Sequence, residues 1–211
     1  MPDDQTVTVM ETKFQESRLQ SLLAKSAARH SHLCPRQVLG VRMGLAGMEA
    51  LHLSLPIKNK RLLVIVETDG CFTDGIEVTT GVTVGHRTLR VEDYGKTAAT
   101  FIDTITGEAI RIGTHPEARY RAWDYATGER RHYFAQLAGY QIMPEDILFT
   151  FQSVKLTKTL KEIISRPGVR TSCDHCGEEI VNEREIVLSE QTLCQACSGS
   201  SYYVSNAESH K

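Results

Sequence analysis

The chain has no long apolar run. The most extended, "LLVIV" at 62–66, is strand length and far short of the roughly 18 residues that cross a membrane. Its first twenty residues, "MPDDQTVTVMETKFQESRLQ", are acidic and polar and lack the apolar centre of a signal peptide. Charge of one sign is also missing: 24 basic residues stand against 26 acidic ones, a net charge of −2. No basic field is available for nucleic acid or a membrane surface. Repeats and low-complexity tracts are absent as well. With 41% hydrophobic and 24% charged residues over 211 positions, one good core plus a small appendage is expected, and disorder is not. These absences read as a cytoplasmic protein, whose six cysteines are reduced and free for metal or redox use.

The organisation along the chain points to α+β. Residues 10–29 carry Phe14, Leu19, Leu22, Leu23 and Ala27 near a helical stripe, which predicts a first helix. A second starts at Pro35, since proline suits the first helical position, and continues through Val38, Val41, Leu45, Met48 and Leu51. Gly40, Gly44 and Gly47 lie on another line of that helix. Three interior glycines are costly, so a very close neighbour is expected there. "RLLVIVET" (61–68) reads as a buried strand. "TDGIEVTTG" (73–81) reads as a short helix with Asp74 as N-cap, Glu77 completing a capping box and Gly81 as terminator. "TLRVED", "TAATFIDT", "EAIRI" and "DILFTFQSVKL" read as strands, "HPEARYRAWDY" and "ERRHYFAQLAG" as helical segments. Helices and strands come in blocks, so a core over 1–156 with a mainly antiparallel or mixed sheet is predicted. A charged linker (157–170) then leads to a small cysteine-rich domain over 171–211.

That domain holds Cys173 and Cys176, then 17 residues, then Cys194 and Cys197. Each C-x-x-C hairpin offers two sulfurs to one tetrahedral ion, and structural zinc favours a closed shell of four thiolates. The intervening span fits a β-hairpin, Gly177 suits a tight turn, and the second pair is expected at the start of a short helix. So small a segment cannot fold on burial alone, and metal would supply much of its folding free energy. The alternative is two disulfides or a chance cluster. Its acidic intervening residues speak against nucleic acid.

"ARHSHLCPRQVLGVRMG" (28–44) places His30, His32 and Cys34 on alternate positions. In an extended segment these face the same way. Cys34 precedes Pro35 and so falls at or near the N-cap of the second helix, where free N–H groups and the helix dipole favour thiolate. Cys71, the only other cysteine outside the C-terminal set, stands at another loop leading into a helix. A His/His/Cys/Cys set suits zinc or another transition metal of borderline softness. The bland alternative is two buried cysteines acting as small hydrophobes.

"HSHLCPRQVLGVRMG", "VIVETDGCFTDGIEVTTGVTVGHRTLRVEDYGKTAATF" and "TGEAIRI" resemble the FmdE family (the E component of formylmethanofuran dehydrogenase) over about residues 15–155. The resemblance implies an α+β core that tends to dimerise, and a C-terminal treble-clef zinc finger of the kind some members carry. It implies that His30, His32, Cys34 and Cys71 lie in a metal-binding pocket, and sets Gly81, Gly85, Leu89, Gly95 and Lys96 on a recurring stretch. The chain departs from the family at Arg36, where glycine is usual, at Val82, where cysteine is usual, and at "GHRTL" (85–89). His86 is then either a substitute ligand or proton donor, or a lone surface histidine.

Three functions follow. The first is a metal-binding accessory protein of one-carbon or molybdenum/tungsten-enzyme metabolism, acting as a homodimer with a protein partner and carrying structural zinc in the finger plus a second zinc or other transition metal in the core. The second is a zinc enzyme with an open coordination position that activates water, and with Glu67, Asp69 or Asp74 as base; such carboxylates are more often caps and loop residues. The third is a scaffold or regulatory protein whose finger recruits a partner.

Overall fold

A computed structural model describes residues 4–54, 57 and 60–204, with side chains from residue 15 onward. The chain divides into two compact units, 1–155 and 156–211. Among the described residues no helix is long and apolar enough to cross a membrane.

The first unit is built on two long helices, α1 (Asp4–Ala27) and α2 (Pro35–Ala50). α1 thus starts earlier than the apolar stripe indicates; the side chain of Phe14 lies outside the described residues. β1 (Leu62–Val66), α3 (Cys71–Thr80), β2 (Leu89–Val91), β3 (Ala98–Asp103) and β4 (Ala109–Thr114) follow. Next come α4 (Ala118–Arg121), a 3-10 turn at Ala122–Tyr125, α5 (His132–Ile142), α6 (Glu145–Leu148) and β5 (Phe149–Ser153). The strand read at 146–156 therefore begins as a turn of helix. Five strands form one mixed sheet, ordered β2-β1-β3-β4-β5, in which only the β1–β2 pair is parallel. The register sets Val64 opposite Phe101 and Phe101 opposite Ile110, so one face of the sheet supplies the floor under α2.

The glycines of α2 have a close neighbour, and it belongs to the same chain. A Cβ on Gly40 would land on the Phe72 carbonyl of α3, one on Gly44 would sit 2.8 Å from Thr79, and one on Gly47 would sit 2.5 Å from the Phe101 ring. From the other side, a Cβ on Gly75 would lie 2.6 Å from the Gln37 carbonyl oxygen and 2.7 Å from the Val41 nitrogen. α2 and α3 thus pack backbone against backbone around Val38, Val41, Phe72 and Ile76, all fully buried. On the opposite face of the sheet, Arg111 binds the nearly buried Glu67 carboxylate through two bonds of 2.5 and 2.7 Å.

The second unit has a capping box at Thr159 and Glu162 that starts α7 (Leu160–Ile164), followed by two two-stranded ribbons. These pair β6 (Arg170–Ser172) with β7 (Glu179–Val181), and β8 (Ile186–Leu188) with β9 (Gln191–Leu193). Its small core is Cys173, Ile180 and Leu193. Residues 157–170, read from sequence as a linker, fall inside this unit.

Candidate metal centres

In the second unit, Cys173 and Cys176 sit on the turn between β6 and β7. Gly177, at φ 76°, lets its N–H return to the Cys173 carbonyl at 2.9 Å, while the Cys173 N–H reaches the Glu178 carbonyl at 2.9 Å. Cys194 directly follows β9, and Cys197 lies in a single helical turn at Ala196–Ser200. Asp174 ties the two ribbons together: its N–H donates to the Thr192 carbonyl at 2.8 Å and its carboxylate accepts from the Thr192 N–H at 2.6 Å. The ligand sulfurs of all four cysteines lie within 4.8 Å of one another, with Cys176 and Cys194 3.9 Å apart. A tetrahedral ion with Zn–S bonds of about 2.3 Å needs sulfurs about 3.8 Å apart, so the set fits a single ion of that size.

Backbone N–H groups also prepare the site for anionic sulfur. The N–H of Cys194 donates to the Cys173 sulfur at 3.3 Å, and that of Cys197 to the Cys194 sulfur at 3.4 Å. Donation from the N–H of Cys176, then from that of Cys194, holds the Cys173 thiol down to about 6. The Cys197 thiol is pushed up to about 12, chiefly by its hydrogen bond with Cys194. Four sulfurs gathered this closely are a site for a cation that displaces their protons. His175 had no role in the sequence reading, yet its Nδ1 lies 3.4 Å from the Cys197 sulfur. The "CDHC" motif places it between two ligands, which was the available signal.

In the first unit the helix starts converge. Cys34 is the N-cap of α2, in extended backbone (φ −124°, ψ 160°), and its N–H donates to Gln37 Oε1 at 2.8 Å. Gln37, fully buried, also donates to the Ser26 carbonyl at 2.8 Å and so ties the end of α1 to the start of α2. Cys71 is the first residue of α3, and Gly70 at φ 75° is the N-cap. This corrects the reading of Asp74 as N-cap: Asp74 lies in the first turn, and Gly81 alone keeps its assigned role, closing α3 at φ 75°. Cys34 and Cys71, both half-buried, are carried by helix starts that pack backbone against backbone. Burial, then the Cys34 sulfur, pushes the Cys71 thiol up.

The histidines are placed differently. His30 Nε2 lies 2.6 Å from Asp74 Oδ2, and Arg29 bonds Glu77 at 2.5 Å and Asp74 at 3.3 Å. Asp74 is three residues from Cys71 and therefore on the same face of α3, so its grip on His30 brings the imidazole toward the cysteine pair. His32 is exposed and meets the Ser31 hydroxyl at 3.1 Å. Among the described residues, only the four C-terminal cysteines gather three or more ligand atoms within 4.8 Å. Neither histidine forms such a group with Cys34 and Cys71.

Tyr133 comes from α5, a hundred residues along the chain, and its hydroxyl approaches the Leu33 carbonyl at 3.5 Å. Burial pushes that hydroxyl up, and the Cys34 and Cys71 sulfurs add to the effect. No local pattern in the sequence could have found it. Glu67 is held by Arg111 and is not free to act as a base. Val82 is buried at the far end of α3 from Cys71, and His86 is exposed.

A curated protein of Archaeoglobus fulgidus, "Probable S-adenosyl-L-methionine-binding protein", is 28% identical over 90% of this chain. The match covers 56% of that protein, so this chain spans little more than half of its relative's length. A crystal structure of a tungsten formylmethanofuran dehydrogenase FmdE-like protein from Syntrophus aciditrophicus superposes with a TM-score of 0.54 at 22% identity. It covers 88% of this chain and 95% of that one, and shares its fold. Residues 29–150, more than half of the chain and inclusive of Cys34 and Cys71, match the family described as "FmdE, Molybdenum formylmethanofuran dehydrogenase operon". The chain belongs to the FmdE family.

Proposed function

We propose that this protein is a metal-binding accessory factor of a formylmethanofuran dehydrogenase-type system, serving one-carbon metabolism that depends on molybdenum or tungsten. Cys173, Cys176, Cys194 and Cys197 hold a structural zinc. The order of a cysteine-bearing turn, a second ribbon and a helical turn supports a treble-clef finger. In the core, Cys34 and Cys71 with His30 or His32 hold a second zinc or another transition metal. The observation that carries this reading is the placement of Cys34 and Cys71 at two abutting helix starts. The Asp74–His30 bond supports it further, because a ligating histidine is commonly oriented by a carboxylate on its other ring nitrogen. The family resemblance supports a homodimer and a protein partner. The test is metal content of the intact chain by native mass spectrometry: two ions are expected per chain, falling to one in Cys34→Ser with the finger still loaded. One ion in both proteins would refute the core site.

A further inference from the structure

We propose that Cys34 and Cys71 are also the site of a reversible intramolecular disulfide, formed by exchange with a small-molecule disulfide such as oxidised glutathione. The proposal rests on the packing beneath the pair. Gly75 meets the carbonyl of Gln37, three residues beyond Cys34, and Gly40 meets the carbonyl of Phe72, the residue after Cys71. The two helix starts are therefore clamped together within one turn of each cysteine. On either side the backbone is held as well, at Cys34 by Pro35 and by the Gln37 bond, and at Cys71 by the Gly70 carbonyl, which accepts from the Thr73 and Asp74 N–H groups.

Both thiols stand at the two clamped helix starts, and both are half-buried, open enough for a small disulfide to reach. Among the described residues the remaining four cysteines belong to the finger and are committed to one another there. Cys34 and Cys71 thus have each other as partners at the clamped helix starts.

The exchange balances with the reagent alone. The thiolate of one cysteine attacks a sulfur of R–S–S–R, forming a mixed disulfide and releasing one thiolate, RS⁻. The thiolate of the other cysteine then attacks the protein sulfur of that mixed disulfide and releases the second. The protein loses two electrons and two protons, and the reagent gains both as two RSH. Such a bond regulates the proposed core metal site and rests on that reading in one respect: closing it would withdraw both sulfur ligands from the core metal.

The experiment uses the full-length, zinc-loaded chain equilibrated with reduced and oxidised glutathione, quenched with acid, alkylated and digested with trypsin without reduction. The expected product joins peptide 30–36 to peptide 62–87, with loss of two hydrogens, and reverts fully in dithiothreitol. Cys34→Ser and Cys71→Ser should instead each carry one glutathione on the remaining cysteine. Accumulation of glutathione on wild-type Cys34 and Cys71 with no joined peptide would overturn the proposal, as would no reaction at either cysteine. Metal content of the reduced protein is measured separately. A joined peptide in a chain that binds only the finger ion would uphold the disulfide and refute the core metal.

Discussion

Gly75→Ala tests the packing on which the core site depends, because two effects of opposite sign compete there. In a solvent-facing helix, alanine is favoured over glycine by about 1 kcal/mol. In this structure the new methyl would lie 2.6 Å from the Gln37 carbonyl oxygen, where ordinary contact begins at 3.4 Å, and 2.7 Å from the Val41 nitrogen. Both obstacles are backbone, so no side chain can rotate away, and α2 and α3 must part by about 0.8 Å. Overpacking of this kind costs about 1–3 kcal/mol, and the upper end applies where backbone meets backbone. Subtracting the helix preference leaves a net loss of about 2 kcal/mol. With a urea dependence of about 2 kcal/mol per molar, the midpoint should fall by about 1 M. Fluorescence of Trp123, the chain's only tryptophan, reports on the first unit alone. Gly85→Ala is the control, since its Cβ would meet nothing within 4 Å; its change should stay within about 0.5 kcal/mol. A midpoint for Gly75→Ala equal to or above the wild type would show that helix preference decides. The clamp beneath Cys34 and Cys71 would then not exist.

Arg111→Ala should destabilise the first unit by about 2–3 kcal/mol, below the full range for a buried pair because Arg111 is partly exposed; adding Glu67→Gln should recover part of the loss in the same urea titration. Cys173→Ser with Cys176→Ser should abolish the finger's metal in native mass spectrometry, and retention of that ion would refute the four-cysteine assignment. Metal affinity of the finger should fall as pH falls, because protons compete for the sulfurs. The decline should steepen below about 6, where Cys173 itself takes up a proton; a zinc-chelator competition flat between pH 5 and 8 would contradict this. Light scattering should report a mass near twice 23.6 kDa, as the family resemblance implies, and a monomer would refute the dimer.

Local physics was legible in the sequence, and long-range pairing was not. Pro35 announced the start of α2, and the three glycines announced a close neighbour, because both signals act within a few residues of where they are written. The neighbour's identity was a different matter. The glycine pattern suited a second copy of the chain as well as it suited α3, and only the fold shows Gly75 and Thr79 filling the line. Asp74 was misread for the same reason. Asp and Glu at three-residue spacing look like a capping box, but here their partners are Arg29 and His30, more than forty residues back. Gly70, free to adopt φ 75°, took the cap instead. The finger was readable because both halves of its site are contiguous motifs, and each C-x-x-C makes its own turn.

The core site exposes the limit of motif reading most clearly. Alternation in "HSHLC" suggested that His30, His32 and Cys34 would point together, which requires an extended segment. Hydrogen bonds to Ala27 and Ser26 instead carry the end of α1 into a turn through Arg29 and His30, and the alternation applies only near Cys34. What brings His30 toward the cysteines is Asp74, a residue of the other helix. A second mutation therefore separates the two explanations. Asp74→Asn keeps the shape and a hydrogen-bonding partner but removes the carboxylate that orients His30; loss of such an outer partner typically costs 10–100-fold in metal affinity. If the core metal is held with His30, Asp74→Asn should weaken it by about that factor, with the finger ion and the Trp123 unfolding midpoint unchanged. His32→Ala should leave it intact. Reversed results would assign the ligand to His32 and reduce the His30–Asp74 bond to a brace between α1 and α3.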